Sequence, residues 1–90
     1  MNERKEYAYI LCVGRELNSV IARGWWSTER EMMHEKAGMS AAALHFRKSA
    51  AILVYEKKGE KWRFVSSAEA SPYLCVPQEI TISQDNRISQ

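Results

Sequence analysis

Proline, glycine, cysteine and aspartate are all scarce: the 90 residues contain two, four, two and one of them. Each scarcity removes a class of protein. The glycines at 14, 24, 38 and 59 stand far apart, so no glycine-rich loop exists to cradle a phosphate. Cys12 and Cys75 form no CxxC pair and allow at most one disulfide, which reads as two reduced packing thiols. A zinc site built from Cys12, Cys75, His34 and His45 lacks paired ligand spacing, so no metal site is expected. Asp85 is the only aspartate and sits in a polar tail, leaving no Ser-His-Asp order. No catalytic residue, cofactor or enzymatic activity is expected. Long apolar runs are also missing: nothing approaches the roughly 20 residues of a membrane span. The stretch Met1 to Glu6 carries both signs of charge and none of the apolar core of a signal peptide. The expectation is a cytoplasmic protein with no membrane partner.

What is present is enough for one small folded domain. Apolar residues make up 46% of the chain, with three Trp, four Tyr and two Phe, which is not the profile of a disordered chain. The net charge of +2 conceals its arrangement. Residues 1–44 balance six Lys/Arg with six Glu, whereas residues 45–63 set six Lys/Arg against two Glu. Positive charge gathered in that way favours a surface facing a polyanion.

Residues 3 to 23 read as an amphipathic helix, with Tyr7, Ile10, Leu11, Gly14, Leu17 and Ile21 at three- and four-residue steps and Gly24 as the stop. Trp25 and Trp26 follow as a core plug at a helix corner. Thr28 and Glu31 are spaced as a capping box for a short second helix, with Met32, Met33 and Ala37 on its apolar side. Gly38-Met39-Ser40 makes a tight turn, and Ser40 caps a third helix over Ala41 to Ala51. The pattern then switches to strand. Ile52 to Tyr55 and Trp62 to Val65 flank a basic loop, with Gly59 left-handed in the turn. Trp62 and Phe64 share one face of the return strand, and Lys61, Arg63 and Val65 the other. Residues 67–90 read as linker and tail, partly docked or dimer-forming, with a short alternating strand near Glu79 to Ser83.

In this order the chain resembles the winged helix-turn-helix superfamily over about residues 5 to 65. The resemblance rests on Met33, Ala37, Gly38, Met39, Ser40 and Leu44, with the hairpin of residues 52–65 where a wing belongs. It implies an α+β fold: a three-helix winged helix-turn-helix domain over residues 1–66, ending in a β-hairpin wing, then the extended tail. It also implies double-stranded DNA as partner and a dimeric transcriptional regulator of the sort found in bacteria or their mobile elements. By position, Ala41, Ala42, His45, Phe46 and Ser49 would face bases. Ser40, Arg47, Lys48, Lys57, Lys58, Lys61 and Arg63 would contact phosphates. The third helix holds no Asn or Gln to read adenine, so a second reading stays open. In that reading the same fold is a docking module for a partner protein, betrayed by an exposed patch at Trp25, Trp26, Phe46 or Tyr73.

Overall fold

The computed structural model describes residues 3–14, 16–38, 50–68 and 76–89. Along these the order is β1 (Lys5–Val13), β2 (Glu16–Trp26), α1 (Glu29–Glu35), β3 (Ala50–Lys58), β4 (Lys61–Ala68), β5 (Glu79–Ile82) and β6 (Ile88–Ser89). The three-helix winged helix-turn-helix expected from sequence is overturned. Among the described residues the chain is one antiparallel six-stranded sheet, ordered β2-β1-β3-β4-β5-β6, with one seven-residue helix.

The expected first helix is a β-hairpin. Tyr7, Ala8, Tyr9 and Ile10 are consecutive and all buried, as in a strand covered on both faces, and a continuous run of that kind satisfies a helical period by accident. β1 pairs with β2 from Val13↔Glu16 to Lys5↔Trp26 across a two-residue connection. Gly14 opens that connection at φ 64, the left-handed backbone that tight hairpin turns require. The β3–β4 hairpin is closed in the same way, with Lys58 opposite Lys61 and Gly59 at φ 65. This second hairpin lies where the sequence places it, but it is no wing. β3 pairs with β1 on one side and β4 on the other, so it runs through the middle of the sheet, and Ala51 to Tyr55 are all buried.

Bulges curl the sheet. In β2, Tyr9 opposes Ala22 while Ile10 opposes Val20, and Leu11 opposes Ser19 while Cys12 opposes Leu17, leaving Ile21 and Asn18 as extra residues. Val65 is the extra residue in β4, between the pairs Val54↔Ser66 and Tyr55↔Phe64. Each bulge bends its strand and increases the local twist. The C-terminal segment continues the same sheet: Trp62 pairs with Ile80, and β5 turns back through residues 83–87 onto β6. Asn86 takes the left-handed conformation in that turn at φ 64, a role Asn tolerates better than most residues. The outermost strands, β2 and β6, then lie against each other, and the sheet becomes barrel-like.

Two clusters form on its two faces. The inner one holds Ala8, Ile10, Cys12, Leu53, Tyr55, Trp62 and Ile80. The outer one holds Tyr7, Tyr9, Ile52, Val54 and Met32, the last reaching down from α1. Thr28 caps that helix: its Oγ1 accepts from the Glu31 N–H at 3.1 Å, and Glu31 Oε2 accepts from the Ser27 N–H at 3.2 Å. The capping pair read from the sequence is thus in place, on a helix shorter than expected.

Candidate docking surface at the Trp25 corner

Consecutive strand residues point to opposite faces, and this decides the fate of the two adjacent indoles. Trp26 turns to the outer face, where it packs against the cluster of Tyr7, Tyr9, Met32, Ile52 and Val54. Its Nε1–H donates to Glu35 Oε2, and Lys36 Nζ stands 5.8 Å from its ring centroid. Gly24 permits this placement, because a Cβ there would lie 2.6 Å from the Trp26 ring. Trp25 turns the other way and is 57% exposed, the one exposed large hydrophobic residue among those described. Beside it lies an open groove of about 440 Å³ lined by Arg4, Trp25, Trp26, Glu31, His34 and Glu35. The expected core plug is therefore half correct: Trp26 is packed, and Trp25 is presented to solvent.

At the same end of the sheet, polar side chains close the inner face over Trp62. Arg23 donates to Glu6 Oε2 at 3.2 Å and to Asn86 Oδ1 at 3.3 Å, and its guanidinium lies 5.0 Å from the Trp62 ring centroid. Lys57 reaches Glu6 at 3.7 Å and lies 5.9 Å from the same ring. On the outer face Lys58 and Lys5 share Glu56, at 3.2 and 3.4 Å.

The residues proposed from sequence for DNA contact divide into two sets. Ser40, Ala41, Ala42, His45, Phe46, Arg47, Lys48 and Ser49 lie outside the described residues, as does Tyr73. Lys57, Lys58, Lys61 and Arg63 do fall on one hairpin, but not as a free basic stripe. The first two are paired with Glu6 and Glu56, while Lys61 and Arg63 are exposed and make no ion pair among the described residues. Sequence reasoning missed Arg4, Glu6, Arg23 and the α1 carboxylates as participants. The available signal was the Trp-Trp pair, since in a strand one of two neighbours faces outward.

Among the described residues, burial raises the pKa of the Cys12 thiol and of the Tyr55 phenol. Burial pushes the Cys12 thiol above its ordinary value, and its Sγ lies 3.7 Å from the Gly14 carbonyl oxygen. A thiol in such surroundings is a packing group and not a nucleophile. Burial, then the neighbouring Cys12, pushes Tyr55 up as well, and its hydroxyl donates to the Pro77 carbonyl at 2.7 Å. Among the described residues no three His, Cys, Asp or Glu side chains gather as a metal site. No helix among them is long and apolar enough to cross a membrane.

The site defines an aromatic corner on a curled antiparallel sheet with one helix packed on its outer face. No known family model, curated protein or solved structure matches the chain.

Proposed function

We propose that the chain is a small protein-docking module that presents the Trp25 corner to a partner. One observation carries this reading: an indole held on a sheet strand stands more than half exposed beside an open groove. Tryptophan is enriched among the residues that dominate binding energy at protein interfaces, and a rigid strand presents it with little loss of entropy. The reading sets the protein in the cytoplasm, where Cys12 stays a reduced, buried thiol. A selection of displayed random peptides on the full chain, repeated on Trp25→Ala, tests it. Peptides that bind the parent at least about tenfold tighter than the variant support docking at this corner. Enrichment of the same peptides to the same degree on both proteins would overturn it.

A second reading, a small DNA-binding regulator, keeps one specific support in Lys61 and Arg63 at the hairpin, which are exposed and make no ion pair among the described residues. It no longer draws on a recognition helix. In this reading Lys57, Lys58, Lys61 and Arg63 contact phosphates, so affinity for duplex DNA falls with salt by a log–log slope of about −0.9 per phosphate neutralised. An unchanged salt titration after replacing all four by alanine rejects it.

A further inference from the structure

The three tryptophans differ in one respect that bears on what would occupy the groove. Trp62 is buried with two cations of the chain facing its ring, Arg23 and Lys57. Trp26 is half-buried, with Lys36 over its ring. Trp25 is exposed, and no cation among the described residues faces it. The face of an indole attracts ammonium and guanidinium groups, so the third tryptophan presents a ring that no cation among the described residues covers, unlike its two neighbours.

The groove beside it adds charge of the matching sign. Glu31 and Glu35 lie four residues apart on α1, which puts both on one side of the helix. Each commits one oxygen to an internal donor, the Ser27 N–H and the Trp26 Nε1–H, and the other oxygen of each has no hydrogen bond among the described residues. Among the described residues of the lining Arg4 is the single cation, one against two carboxylates, and His34 stands beside them.

Resting on the docking reading above, we infer that the groove takes a basic segment of a partner protein. An arginine or lysine side chain stacks on Trp25 and brings its charged head to Glu31 and Glu35.

Two acetylated, amidated peptides of one length test the inference. They are built on glycine, serine and leucine and differ only in carrying arginine or glutamate at their central positions. Each is titrated into the full chain while the three indole N–H resonances are followed. The arginine peptide is expected to shift the Trp25 resonance and to bind about tenfold tighter than the glutamate peptide. Trp25→Ala, and Glu31→Gln with Glu35→Gln, are each expected to weaken it about threefold to tenfold. Glutamine keeps the acceptor oxygens used by Ser27 and Trp26, so the Trp26 and Trp62 resonances report an intact fold. Equal binding of both peptides, tighter binding of the glutamate peptide, or no Trp25 shift by the arginine peptide up to about 1 mM overturns the basic-partner inference. Docking at Trp25 would then still stand if the display selection yields acidic or apolar peptides that need Trp25. Arginine-peptide binding that survives Trp25→Ala overturns the inference too, by placing the basic segment elsewhere.

Discussion

Arg23 and Asn86, 63 positions apart in the chain, meet at 3.3 Å and join β2 to the turn between β5 and β6. The guanidinium also holds Glu6 and covers the buried Trp62 ring, so one side chain ties β2, β1, β4 and the β5–β6 turn. Hydrogen bonds to a charged group contribute about 1.5–3 kcal/mol where they are shielded from water. Arg23→Ala is therefore expected to destabilise the fold by about 2 kcal/mol in urea unfolding. Asn86→Ala is expected to cost less, and the double variant less than the sum. Strict additivity would show that the two residues act separately.

The single described helix hangs on one side chain and one cap. Met32 is 1% exposed among Tyr7, Tyr9, Ile52 and Val54, so Met32→Ala should cost about 2–5 kcal/mol. Thr28→Ala removes only the hydroxyl that accepts from Glu31, and should cost about 1 kcal/mol. Denaturant midpoints for the pair check the order. If Thr28→Ala proves the more damaging, α1 is held by its terminus and not by packing.

Two glycines separate backbone strain from crowding. At Gly59 a Cβ meets nothing within 4 Å, so Gly59→Ala carries only the penalty of φ 65, about 1–2 kcal/mol. At Gly24 a Cβ would strike the Trp26 ring, so Gly24→Ala should move the indole. The expected signature is a changed Trp26 resonance and loss of its bond to Glu35. In Gly59→Ala all three indoles should keep their positions. A Trp26 environment unaffected by Gly24→Ala would show that the indole does not lie across the strand.

Stability should fall on the alkaline side. Burial raises Cys12 above 9.0, and raises Tyr7 and Tyr55 above 10.0. In each case the unfolded chain releases its proton first, so the contribution is full below the unfolded value and is lost as pH climbs toward the folded one. Unfolding free energy should be insensitive to these groups below pH 8 or so and decline from about 9 upward. Phenolate absorbance should lag behind that of a free tyrosine until the chain unfolds. Full ionisation near pH 10 in a folded chain would contradict the burial of Tyr55.

Some of this was legible in the residues. The Thr28–Glu31 cap, Gly59 in a left-handed turn, and Trp62 with Phe64 on one strand face are all local chemistry, and local chemistry survives a wrong view of the fold. The first hairpin was not legible, for a reason visible in its register. The two extra residues of β2 put Leu17 and Val20 on the inner face and Ile21 with Ala22 on the outer one. Spacings of three and four residues then arise from a strand and read as a helix. β1 is apolar at nearly every position and could not correct the error. The expected core plug followed from that mistake, because Trp25 and Trp26 share a corner in a helical chain but part company in an extended one.

The irregularity that disguised β2 also bears on the protein's solubility. β2 runs for 11 residues, pairs with β1 alone among the described residues, and carries no charge between Leu17 and Ala22. A straight strand of that composition is a template on which further copies can stack, whereas a twice-kinked one offers no long run of evenly spaced donors and acceptors. Deleting Asn18 and Ile21 together would leave the pairing of Ala22 to Trp26 intact while straightening the strand. A chain so shortened is expected to fold and to precipitate.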